Sequence, residues 1–127
     1  MTQFLNIRKF AGYAAIAAII NSIIFLIAKA SDATMIVNQG GSQEIALPMV
    51  LASTLFGLLL ASFISSWIGK KSQRFLANLP IIGLVFGVVT AAAPFSASDD
   101  SKTAWALALM HIVAGLTWFI GVKRSTK

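Results

Sequence analysis

The chain has 127 residues, of which 57% are hydrophobic and 11% charged, and its mean hydropathy is +0.83. An ordinary soluble domain carries about 25% charged residues, and a small chain has a large surface to cover. The composition therefore excludes a soluble globular domain, and its hydrophobicity excludes a disordered chain.

The first uncharged run covers residues 10–28. A helix needs about 20 mostly apolar residues to cross a bilayer core of about 30 Å, so a first spanning helix is predicted over residues 8–29. Arg8-Lys9, the apolar run and Ala28-Lys29-Ala30 have the outline of a signal peptide. The apolar region of such a peptide is about 7–15 residues long, and this run is longer, so the first helix is expected to be retained. Residues 33–43 are also uncharged, but Asn38-Gln39-Gly40-Gly41-Ser42 is a turn-forming stretch, and a loop is expected there.

The second run gives a helix over residues 45–69, followed by a basic connection, Lys70-Lys71-Ser72-Gln73-Arg74. The third gives a helix over 75–96 and the fourth a helix over 103–122. None of these runs alternates apolar with polar residues as a barrel strand must, so the predicted fold is all-α: one transmembrane domain, residues 1–127, built as a four-helix bundle with antiparallel neighbours.

Charge placement orients the bundle. Arg8, Lys9, Lys70, Lys71, Arg74, Lys123, Arg124 and Lys127 flank the spans on one side, with no acid among them. The other side carries Lys29 and Lys102 against Asp32, Glu44, Asp99 and Asp100. By the positive-inside rule, both termini should face the cytoplasm. The net charge of +6 then reads as topology and attraction to anionic lipid, and no nucleic-acid partner is expected. Glu44, Asp99 and Asp100 precede helices and Lys29 ends one, each placement favoured by the helix dipole. Tyr13, Trp67, Phe75 and Trp118 at one end, and Phe95 and Trp105 at the other, are expected at the two membrane interfaces.

Small residues recur every fourth position. Ser53, Gly57, Ala61, Ser65 and Gly69 form a ladder in the second span, and Gly83, Gly87 and Ala91 another in the third. In lipid, close backbone approach through small side chains drives association, so these ladders are the expected helix-packing faces. Asn21 and His111 lie near the middles of the first and fourth runs. A neutral imidazole offers one donor and one acceptor, and the two side chains are expected to form an intramembrane polar contact.

Thr103-Ala104-Trp105-Ala106-Leu107-Ala108-Leu109-Met110-His111-Ile112-Val113-Ala114-Gly115 resembles the last helix of an uncharacterised family of small, largely actinobacterial membrane proteins. That family has four helices, a basic loop after the second and a domain-of-unknown-function label. The resemblance implies a multi-pass protein of the bacterial cytoplasmic membrane and brings no activity with it.

Chemistry is sparse. There is no Cys, hence no disulfide, thiolate site or thiol redox couple. One His and four scattered acids do not make a zinc site, and neither a metal nor a cofactor is expected. General acid–base chemistry needs positioned groups with tuned pKa values, and His111 has no intramembrane carboxylate beside it, so the chain is not expected to be an enzyme. The expected function is a non-enzymatic binding or assembly subunit that packs through small-residue helix faces. Its partners would be the bilayer and another membrane protein or a second copy. The alternative is an oligomeric small transporter or channel for a neutral or lipid-like molecule.

Overall fold

A computed structural model of the protein describes residues 2–127. Four long helices run up and down: α1 (Ile7–Ala30), α2 (Leu47–Gly69), α3 (Gln73–Thr90) and α5 (Ser101–Ser125). A hairpin of β1 (Ile36–Asn38) and β2 (Ser42–Glu44) joins α1 to α2, and the short helix α4 (Pro94–Ala97) lies between α3 and α5. All four spans, the third counted through α4, are long and apolar enough to cross a membrane. The chain is an all-α multi-pass membrane protein.

Two connections differ from expectation. The loop over 33–43 contains the hairpin, with Ile36 opposite Glu44 and Asn38 opposite Ser42. Gly40 and Gly41, at φ +72° and +144°, make its turn in a region that only glycine enters readily. The third helix stops at Thr90 instead of running on to 96. Pro94 has no N–H to give to the Thr90 carbonyl, which takes the Ala93 N–H at 3.1 Å instead, and the chain tightens before restarting at Pro94.

One core cluster draws on all four long helices, Leu58 of α2 included, and a second gathers Phe25, Met35, Val50 and Met110 at the hairpin end. Phe10, Ala14 and Ala17 of α1, Leu76 and Leu79 of α3, and Trp118 and Val122 of α5 are buried together. Phe10 meets Trp118 edge to face, 5.2 Å between ring centroids. The Trp118 indole Nε1–H donates to the Leu79 carbonyl at 2.9 Å. Trp118 is only 5% exposed, so it is a core residue rather than the interface anchor expected. Its ring fills the space over Gly83, where any Cβ would collide with it. One turn on, α3 and α5 cross at Gly87 and Gly115, where a Cβ added to Gly87 would stand 2.8 Å from the Gly115 Cα.

At one end the two termini pair. Phe4 N–H donates to the Lys127 carbonyl at 2.7 Å and Asn6 N–H to that of Ser125 at 2.8 Å, and Gln3 and Gln73 exchange hydrogen bonds beside them. At the other end Asp100 caps α5. Its carboxylate accepts from the Thr103 hydroxyl at 2.6 Å and from the Thr34 N–H at 2.9 Å. Thr103 Oγ1 in turn accepts from the Met35 N–H at 2.8 Å, so one acid ties the α1–β1 connection to α5. These bonds favour the ionised form, the Thr103 hydroxyl most and the Thr34 N–H next, and lower the Asp100 pKa from 3.8 to about 2.

Two outcomes follow from this packing. Gly87→Ala should lower thermal stability by about 1–3 kcal/mol, the usual cost of overpacking, whereas Gly57→Ala should lose nothing, because nothing lies within 4 Å of its added Cβ; melting of the two variants in detergent checks this. Because folding depresses the Asp100 pKa, its ionised form stabilises the fold fully above about pH 4, and that contribution falls away as the pH drops toward 2. A melting series should therefore show the parent losing more stability across that window than Asp100→Asn does.

Candidate functional site

The polar groups at mid-span gather where α1, α2 and α5 meet. Asn21 reaches there because the apolar stripe of α1 brings Phe10, Ala14, Ala17, Ala18, Asn21, Phe25 and Ala28 to one buried face. Asn21 is 2% exposed. Its Nδ2 donates to Thr54 Oγ1 at 3.1 Å and more weakly to the Met110 carbonyl at 3.4 Å. Its Oδ1 is buried and accepts nothing among the described residues.

The expected bond between Asn21 and His111 is not made. His111 Nδ1 lies 2.7 Å from the Leu107 carbonyl, one turn back on α5, and a partner on the same helix needs no second element to bring it into reach. A carbonyl only accepts, so Nδ1 carries the proton, and the neutral ring is left with an acceptor at Nε2. That nitrogen has no protein partner among the described residues. Other hydroxyls of the spans turn back on their own helices: Ser22 donates to the Ala18 carbonyl at 2.8 Å, Ser62 to that of Leu59 at 2.7 Å and Thr90 to that of Phe86 at 2.7 Å.

Asn21 and His111 nevertheless share a cavity of about 370 Å³, walled also by Met49, Ser53, Thr54, Met110 and Ala114. Ser53, Thr54, His111 and Ala114 also line a cleft of about 420 Å³ between α2, α3 and α5, so the two spaces adjoin. The cleft runs past Leu58, Leu79, Ile82 and Phe86 to Trp118.

The cleft corrects the expectation for the second-span ladder. Ser53, Gly57, Ala61 and Ser65 line it rather than packing on a neighbouring helix. The residues α2 buries are instead Val50, Leu58, Ser62 and Ser66, the adjacent row, about 100° round the helix, together with Gly69, the last rung of the ladder, which packs against Leu76. That row mixes Ser62 and Ser66 with the larger Val50 and Leu58, and α2 makes its extensive contact with α1 while touching α5 only slightly. In the third span, Gly83 and Gly87 sit at the α3–α5 crossing, and Ala91 is buried at the C-cap of α3.

Residues 4–127 match the model of DUF6069, a family of unknown function. The chain belongs to this family. No curated protein and no solved structure matches this DUF6069 chain.

Thr54 escaped the sequence reading. It stands beside the ladder as one of several hydroxyls in the second span, and only the position of Asn21 distinguishes it. Nothing in composition marks the Met110 and Leu107 carbonyls, because every helix residue carries one.

A double-mutant cycle separates the contact that is present from the one that is absent. Asn21→Leu and Thr54→Val should couple by about 0.6–1.7 kcal/mol, the range for hydrogen bonds between membrane helices. Asn21→Leu and His111→Leu should couple by less than about 0.5 kcal/mol, as measured by unfolding in mixed micelles.

Proposed function

We propose that the protein is a non-enzymatic binding subunit of the bacterial cytoplasmic membrane, and that it receives its partner molecule in the cleft beside the small-residue face of α2. The observation that carries this reading is that the ladder is open. Gly57 has nothing within 4 Å of an added Cβ, in contrast to Gly87. Small residues in membrane helices allow close approach, and four of them in register leave a smooth wall for something other than the chain's own helices. Phe86 and Ile82 on the opposite wall are 70% and 46% exposed, so the cleft opens toward lipid.

The chain carries no Cys, so a probe can be placed at will. A benzophenone attached through Ala61→Cys, in the cleft, should label a specific partner on irradiation of native membranes. Adding Gly57→Ile should abolish that product while leaving the melting temperature of the protein unchanged. A probe through Leu60→Cys, on a side chain 47% exposed on the neighbouring face, should give only general lipid adducts. Identical products from the two positions would overturn the reading.

Both termini and residues 70–74 are assigned to the cytoplasm on the eight-to-two division of basic residues between the two ends. Ser72→Cys should resist a membrane-impermeant maleimide in intact cells and react after lysis; labelling in intact cells would reverse the orientation.

A further inference from the structure

The polar pocket between α1, α2 and α5 has hydrogen-bonding capacity that the fold leaves unused. Asn21 Nδ2 donates to Thr54 Oγ1 at 3.1 Å, which takes one lone pair of the hydroxyl oxygen, and the Thr54 proton has no acceptor among the described residues. His111 Nδ1 is held by the Leu107 carbonyl at 2.7 Å, which leaves Nε2 as a free acceptor. Asn21 also lines the pocket, but its Oδ1 is an unpaired acceptor buried out of a guest's reach. Polar groups withdrawn from water and left unpaired are costly, and Thr54 and His111, with capacity to spare, line one pocket.

This inventory constrains what fits. A donor must be supplied to the imidazole, and an acceptor to Thr54. A hydroxyl does both through one oxygen. A ketone or a quinone only accepts, so it would satisfy Thr54 and leave Nε2 unpaired. A charged head group is disfavoured in the middle of a span, and no ionised side chain lines either the pocket or the cleft among the described residues. Water also donates and accepts, but the pocket does not end as a closed polar hole. It continues through Thr54 and His111 into a cleft walled by Leu58, Leu79 and Phe86, which suits a hydrocarbon attached to the hydroxyl.

We infer that the pocket binds the hydroxyl of an uncharged, lipid-soluble alcohol or phenol, with His111 Nε2 accepting its proton, Thr54 donating to its oxygen, and its hydrocarbon lying in the cleft between α2 and α3. The inference rests on the cleft being the binding surface, and it adds the chemical class of the guest. Asn21 is a positioning residue here: by donating to the Thr54 oxygen, it leaves the Thr54 proton for the guest.

The test compares farnesol with farnesyl methyl ether, which lacks only the donated proton, on the purified full-length protein by native mass spectrometry. Farnesol should bind about tenfold more tightly, the effect of leaving one buried acceptor unpaired. His111→Leu should bring the two affinities together mainly by weakening farnesol binding, whereas Thr54→Val, which removes a bond that both guest oxygens accept, should weaken both probes and keep the preference, and Thr54→Ser should restore both affinities. Gly57→Ile should abolish binding of both. Equal affinities in the parent overturn the hydroxyl site and show water to be a sufficient occupant; if Gly57→Ile still removes both probes, the cleft reading stands. A preference that survives His111→Leu also overturns the assignment. Binding of neither probe, or binding of both to Gly57→Ile, removes the cleft reading and the inference together. Should Thr54→Val fail to fold, the ratio measured on the parent still decides.

Discussion

The crossing of α3 and α5 at Gly87 and Gly115 sets where the remaining helices can lie. Within lipid, no hydrophobic force draws helices together, so contact depends on how closely backbones and side chains fit. Two facing glycines allow an approach that no side chain would permit, and Gly83 lets the Trp118 indole lie across α3 and donate to the Leu79 carbonyl. With α5 committed to α3 on one side and to α1 through Phe10 on another, α2 is left to pack on α1. The open cleft is the consequence: α2 and α3 are joined by a short turn, yet their bodies diverge on either side of α5.

The same low-dielectric setting governs the polar groups. A hydroxyl or ring nitrogen within a span takes the nearest carbonyl, which is usually on its own helix, three or four residues back. Ser22, Ser62, Thr90 and His111 all do so. Asn21 behaves differently because its amide has two donors and an acceptor and cannot be satisfied by one local carbonyl. It links α1 to α2 through Thr54 and to α5 through Met110, and it leaves one oxygen over. The residue that ties three helices together thus also borders the pocket.

At the hairpin end, solvent changes the rules, and an ionised acid becomes the organiser. Asp100 gathers the Thr103 hydroxyl and the Thr34 and Thr103 N–H groups, and Lys29 pairs with Glu44 at 3.7 Å. The exposed ion pair contributes little. The carboxylate that accepts several donors positions the loop. At the opposite end, pairing of the two terminal segments does by backbone bonds what Asp100 does by a side chain.

The sequence by itself determined the class, the number of spans, their approximate limits and the favourable placement of Asp100 before a helix, because each follows from local quantities: runs without charge, span length and charge at helix ends. It also marked Asn21, His111 and the small-residue ladders as the unusual features. Only the tertiary structure decided what those features touch. The row of α2 at 57–61–65 is small throughout and the row at 58–62–66 carries Leu58, so smallness does not decide which row is buried. The choice falls to the row facing α1, and the other is left to line the cleft. Asn21 and His111 are level in the bilayer but satisfied by different partners, because depth is a one-dimensional coordinate read from sequence position, whereas a hydrogen bond needs the rotation of each helix about its own axis. That rotation is set by packing between elements far apart in the chain, at Gly87 against Gly115 and Gly83 beneath Trp118.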